Sequence, residues 1–368
     1  MANTSCVTPR RPDHSSPSSE PLTAGAGDAL TMTILDMPAW SSAWGQLPLD
    51  RREVYFHPAY ASICAPWERA RPGCLRLTSP AGWMLYPYLA HPIDGGACDA
   101  QTPYGYGGPL FVGEWSPAHK AIALARAAEF FRSTGAVAEF VRCHTEWSDV
   151  EALRTAGFAV FQVRTNVECD LTTGDDVTAT WVSSARRNLR KAQAAGLSFR
   201  LGEGDRDWAA FEGLYAATAR RLEMAPAYRF DHDYFAGLCA LAPVRLVVVE
   251  SAGTPIAGAV VFIGGMLAHY HLGASDFAHQ GVRPNDFLYF AMAEVARQAG
   301  CQRIVWGGGM SNDPADTLFR FKTHFGALRR PVFCAGRVID RAGYDQQCAA
   351  WAAKNPGRES KLFLKYRA

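Results

Sequence analysis

Two apolar runs at residues 244–250 and 256–263, parted by a glycine-containing turn, constrain this 368-residue sequence more than any other feature. Runs of that length, rich in Val and Ile, predict paired strands. A third strand at 266–272, a long helix at 286–299 and a further strand at 302–306 follow. That order describes an antiparallel meander feeding a crossover helix, a unit of an α/β layer. Upstream lie a basic helix at 180–192 that stops at Gly196, a strand at 197–201, and helices at 208–222 and 234–241.

The first half is similar in kind. Strands at 74–78 and 83–89 predict a hairpin, and a helix at 117–134 ends at Gly135, where a left-handed cap fits. A strand at 137–142, a short helix at 148–156 and two strands at 158–163 and 166–171 complete it. The expected fold class is therefore α/β (α+β), two subdomains with mixed central sheets flanked by helices. The boundaries fall at 32–172 and 173–340, and 341–368 is a C-terminal segment that is a candidate to return to the first domain. Residues 1–31, rich in Ser, Pro, Thr and Ala without an apolar core, read as a disordered tail, or as upstream sequence if Met32 is the true start.

With 48% hydrophobic and 20% charged residues the chain is an ordinary globular one. Lys and Arg total 37 against 35 Asp and Glu, so a formal charge of +2 supplies no global field for DNA or an anionic membrane. The ten cysteines form no CxxC pair and no Cys/His group at metal-ligand spacing. A reduced, cytoplasmic chain without a metal is the expectation. No stretch approaches the roughly 20 apolar residues of a transmembrane helix.

Four stretches carry candidate chemistry. In Tyr104-Gly105-Tyr106-Gly107-Gly108-Pro109 the glycines admit a ligand to the backbone beside tyrosine hydroxyls, although a tight turn explains the same residues. Arg186, Arg187, Arg190 and Lys191 crowd one helix, where they either hold phosphates or form a solvated face. The third stretch runs from His269-Tyr270-His271 to Asp276, then through Arg283 and Asn285 at a helix start whose amides suit an anion. Alternation puts His269 and His271 on one face of the strand and Tyr270 on the other. In the fourth, Gly307-Gly308-Gly309 follows a strand, and Lys322 sits among aromatics where it suits a phosphate or a developing oxyanion.

Taken together, these segments resemble the FemABX-type aminoacyltransferases and their GNAT-like acyltransferase relatives, including those of the BioF2 kind. The resemblance rests on Tyr55 to Tyr60, the Tyr-Gly-Gly-Pro element, the Ser183 to Ala192 helix and the run from Phe211 through Tyr215 to Arg221. It continues through Ile256-Ala257-Gly258, Tyr270 to Ser275, the triple glycine, Phe321-Lys322 and Phe325-Gly326. It implies tandem GNAT-like subdomains, with the acceptor in a cleft between them and the donor entering over the second. It places Phe321, Lys322 and Tyr270 by the reacting ester. The candidate substrate-binding residues are Tyr104, Tyr106, Gly107, Gly108, Arg187, Tyr215, Arg221, Gly308 and Phe321, and the candidate donor-binding residues Arg283, Asn285 and Arg190. The CoA loop of ordinary acetyltransferases survives only as the degenerate Gln280-Gly281-Val282-Arg283-Pro284-Asn285. The donor is thus either acyl-CoA or aminoacyl-tRNA, as a co-substrate with no bound cofactor.

No Gly-x-Ser-x-Gly elbow and no activated cysteine is present, so an acceptor amine is expected to attack directly, without a covalent intermediate. Lys322 and the glycine-loop amides stabilise the oxyanion, and His271 or Asp276 takes the ammonium proton. The acceptor is an amine of a cell-envelope precursor, an amino sugar or a small metabolite. The rival from another class is an inactive module of the same fold that binds a peptide or glycan.

Overall fold

The computed structural model describes residues 30–368, so residues 1–29 of the expected tail lie outside the described residues. The elements are, in chain order, Thr31–Ile34 (β1), Met37–Gly45 (α1), Pro58–Trp67 (α2), Arg71–Ser79 (β2), Gly82–Pro92 (β3) and Cys98–Gln101 (β4). Next come Leu110–Gly113 (β5), Pro117–Ser133 (α3), Ala136–Arg142 (β6), Val150–Thr155 (α4), Ala159–Asp170 (β7), Ser183–Ala194 (α5) and Leu197–Leu201 (β8). Then follow Gly204–Arg221 (α6), His232–Cys239 (α7), Val244–Ser251 (β9), Thr254–Ile263 (β10), Leu267–Ser275 (β11) and Pro284–Gln298 (α8). The last are Arg303–Gly307 (β12), Thr317–Lys322 (α9), Leu328–Val338 (β13) and Arg341–Lys354 (α10).

These elements form two compact units. Residues 30–43, 69–163 and 333–368 make one, and residues 44–68 and 164–332 make the other. In the first the strand order is β1-β2-β3-β4-β6-β13, with β5 beside β3. Only the β4–β6 pair is parallel. In the second the order is β8-β9-β10-β11-β12-β7, and only β11–β12 is parallel. Each sheet is thus a meander of four strands closed by a helical crossover, α3 in one and α8 in the other. Both crossover helices stop where a glycine takes the left-handed conformation, Gly135 at φ 81° and Gly300 at φ 82°. This is the tandem α/β architecture the sequence predicts, and no described helix is long and apolar enough to cross a membrane.

One expectation needs revision. Residues 158–163 and 166–171 are not two strands but the single strand β7, because Arg164 and Thr165, although polar, continue the extended run.

The first unit packs Leu75, Met84, Tyr86, Leu124, Phe131 and Val141 into a core under α3. Within it, Glu139 is fully buried and accepts hydrogen bonds from Tyr86 Oη and from Arg337 Nη2 at 2.6 Å, while Arg337 also donates to Leu124 O and Ala156 O. A buried pair broken from one side leaves a bare charge in an apolar medium. Arg337→Ala will therefore lower the free energy of unfolding by about 3–5 kcal/mol; paired urea titrations measure it.

Candidate functional site

The second unit places the triple glycine and the late lysine together, and each glycine has a steric reason. Gly307 takes a left-handed backbone, φ 78°. A Cβ on Gly308 would stand 2.8 Å from Thr165 O, and one on Gly309 2.5 Å from Asp316 Oδ1. Asp316 pins this loop to α9, accepting from Met310 N at 2.8 Å, Ser311 N at 3.2 Å and Phe319 N at 2.9 Å.

From the last turn of α9 the Lys322 side chain runs back to the loop, where its Nζ donates to Gly308 O at 2.8 Å. It is buried, 8% exposed, and Nζ lies 5.6 Å from the centre of the Tyr270 ring. Burial lowers its pKa to about 7; the Arg164 guanidinium pushes the same way and Asp316 opposes. Tyr270 projects from β11 onto the side covered by α8, 5.6 Å from the Tyr289 ring, and burial raises its pKa to about 12. Tyr289 in turn stacks on Phe325 at 4.2 Å and meets Trp306 at 4.7 Å, while half-buried Phe321 sits edge-on to Tyr289 and Phe325. The result is a buried, aromatic-walled amine with no salt-bridge partner among the described residues.

The other candidates fall elsewhere. His271 lies on the opposite sheet face, stacked on Phe262 at 4.1 Å, with Nε2 hydrogen-bonded to Tyr234 Oη at 2.8 Å. Burial, reinforced by His269, depresses its pKa to about 3, so it is neutral at working pH. The predicted alternation holds, since His269 shares that face with its buried partner Glu53 at 3.2 Å. Asp276 caps the 3-10 turn Phe277–Val282, accepting from Ala278 N and pairing with His279, and these contacts hold its carboxyl below the usual range.

Arg187 and Arg190 lie on the exposed face of α5, whose other face buries Ala185, Leu189 and Ala192. Tyr215 is buried and donates to Tyr228 O at 2.9 Å; exposed Arg221 lies over the Phe277 ring at 4.9 Å. Arg283 and Asn285 are exposed at the start of α8. Tyr104, Tyr106, Gly107 and Gly108 belong to the first unit. There Gly107 N donates to Arg142 O, Gly107 O accepts from His144 N and Ser148 Oγ, and Gly108 is left-handed at φ 108°. Two neighbours of Lys322 escape the sequence reading. Arg164 sits where a strand break is expected, and Asp316 is legible only as a helix cap ahead of Phe319.

Residues 182–322 match the family described as "Acetyltransferase (GNAT) domain". Among solved structures the chain is similar to FemX, with 14% identity, a TM-score of 0.68, and coverage of 86% of this chain and 99% of that one. It is also similar to a conserved protein of unknown function from Bacteroides thetaiotaomicron VPI-5482, at 11% identity and a TM-score of 0.55, covering 84% of this chain and 99% of that one. No curated protein matches the chain.

A lysine with a folded pKa near 7 and an ordinary value of 10.5 binds fewer protons folded than unfolded between those limits. Its cost to stability is thus greatest below pH 7 and shrinks as pH rises. Lys322→Met will raise the urea midpoint at pH 6 by more than at pH 9; an equal shift at both would mean the amine is not held this way.

Proposed function

We propose that this GNAT-type acyltransferase, with the fold of the FemABX transferases, moves an acyl or aminoacyl group from an activated ester or thioester onto an acceptor amine beside Lys322 and Tyr270. The observation that carries the reading is the buried Lys322 amine, fixed on Gly308 O and brought to a pKa of about 7. An amine poised there gains and loses a proton at working pH.

In the proposed reaction the neutral acceptor amine attacks the carbonyl carbon, and the new C–N bond forms as the carbonyl becomes an oxyanion. Neutral Lys322 takes the proton the nitrogen sheds. Collapse of the oxyanion breaks the C–O or C–S bond, and the Lys322 ammonium returns the proton to the leaving oxygen or sulfur. Arg164, a cation at every working pH, offsets the oxyanion charge. Phe321, Tyr289 and Tyr270 wall the site against water.

Lys322 takes the base role rather than His271, which lies across the sheet, or Asp276, which is spent on a cap. Arg187, Arg190, Arg221, Arg283 and Asn285, all exposed, are proposed contacts for anionic parts of the co-substrates. Tyr215 supports the proposed acceptor side through its hold on Tyr228. The acceptor proposed is an amine of an envelope precursor, an amino sugar or a small metabolite, in the cytoplasm, and the donor is acyl-CoA or charged tRNA.

The test is a donor screen of acyl-CoA species and charged tRNA against candidate amines, read by mass spectrometry. Lys322→Ala will lower kcat by roughly 100-fold or more. The wild-type kcat will rise with pH through about 7 as the lysine loses its proton. Near wild-type turnover in Lys322→Ala would remove the lysine from the mechanism, and silence of the folded protein across the screen would leave the binding module as the better reading.

A further inference from the structure

Four apolar side chains stand in water around α9: Val182, Met310, Leu318 and Leu328 are between 36% and 45% exposed. The backbone gathers them there. Met310 N donates to Asp316, the cap of α9, and His324 O, just beyond that helix, accepts from Val182 N at 3.1 Å. The Arg329 guanidinium, next to Leu328, lies 5.9 Å from the centre of the half-buried Phe319 ring. Leu318 stands one turn before Lys322 on the same helix, so the two share a face and the patch borders the buried amine. An exposed apolar cluster of this kind marks a contact surface.

Cations rim the cluster. Arg320 and Arg329 are exposed, and Val182 leads into α5, where exposed Arg187, Arg190 and Lys191 point away from the buried face of that helix. From Val177 to Gly202 the chain has no Asp or Glu; from Met310 to Arg330 the one exposed acid is Asp313, since Asp316 is taken up by its cap. A chain of formal charge +2 thus carries a local positive excess beside its exposed apolar residues. Arginine and lysine alone suit any polyanion. The aliphatic side chains decide, because Val, Leu and Met offer a nucleobase no ring to stack on but enter the headgroup and acyl boundary of a bilayer.

We infer that the face formed by α9, the start of β13 and the exposed side of α5 docks on an anionic phospholipid bilayer, with Met310 and Leu318 entering the headgroup boundary and the cations of α5 and α9 on lipid phosphates. The contact is peripheral, since no described helix is long and apolar enough to cross a membrane. Each Lys or Arg held near such a surface strengthens binding about fivefold. The inference goes beyond the acyl-transfer reading, needs no reaction, and sets the mouth of the Lys322 site at the boundary between membrane and water.

The experiment is co-sedimentation of the full chain with vesicles of phosphatidylcholine alone or of phosphatidylcholine and phosphatidylglycerol in equal parts, without donor or acceptor. Wild type is expected to bind the mixed vesicles about tenfold or more better than the neutral ones, and less as salt is added. Met310→Asp with Leu318→Asp is expected to weaken binding about tenfold, as is Lys191→Glu with Arg320→Glu. Leu49→Asp is expected to change nothing: exposed Leu49 lies against Gly265 at the turn between β10 and β11, whereas Gly307 is at the opposite end of β12, which runs parallel to β11. Urea midpoints confirm that each variant is folded, and Met310→Ser with Leu318→Ser serves if the Asp pair is not. Equal binding to both kinds of vesicle overturns the inference, as does an Asp pair that binds like wild type. So does retention on bulk tRNA at the same salt without vesicle binding, which assigns the basic face to nucleic acid, or a dimer by light scattering that Leu318→Asp breaks, which assigns the patch to a second copy of this chain. Binding is read without turnover, so a failure of Lys322-dependent transfer and a failure of this inference are seen in separate assays.

Discussion

The contact between Lys322 Nζ and Gly308 O organises the second unit. An ammonium taken out of water is expensive unless it is paired with a carboxylate, and here the partner is a single carbonyl. The loop that presents that carbonyl has to be built closely. Gly308 lies where any side chain would strike Thr165 O, and Asp316 ties the loop to the helix that carries the lysine. Loop, short helix and lysine form one closed circuit, so the amine cannot relax toward solvent without unpicking the Asp316 caps. A depressed lysine pKa is therefore built in by geometry.

The two faces of β11 divide the chemistry. Tyr270 faces the aromatic packing under α8 and meets Lys322, whereas His269 and His271 face the opposite way. The register shift opposite Val260 and Val261 places the irregularity of this strand at His271. Between neighbouring residues of one strand lies the thickness of the sheet, and no rotamer brings the imidazole round to the lysine. In the proposed mechanism, strand alternation therefore weighs more in the choice of base than the ordinary pKa of histidine does.

Much of the fold is legible in the sequence because local signals agree with tertiary ones. The strand at 197–201 is met residue for residue, and the crossover helix before Gly135 ends where the glycine says it must. The sequence misleads where local chemistry is ambiguous. Arg164 and Thr165 read as a strand break and instead continue β7. The helix Pro58–Trp67 carries Pro66 and little periodicity, so nothing in the text marks it. The site was half legible: Phe321-Lys322 and the triple glycine announce themselves. Arg164 reaches them only through sheet pairing, since β7 lies beside β12, and sequence distance gives no hint of that.

The two units share one order of pairing, which makes their difference instructive. In the first, buried charge is answered by charge: Glu139 meets Arg337, and Asp99, fully buried, meets Arg367 at 2.6 Å. The second has pairs of the same kind, with Glu168 held by Arg303 and Arg330. It adds one buried amine, Lys322, with no salt bridge among the described residues, its pKa lowered by burial and by Arg164 and only partly held up by Asp316. Neutralised pairs hold a sheet together and have little left to offer a substrate. In the proposed reaction the Arg164 cation beside this amine is answered by the oxyanion that forms and then collapses. Topology is common to both units, so the fold alone does not locate the chemistry, and the site proposed above is chosen by the buried lysine instead.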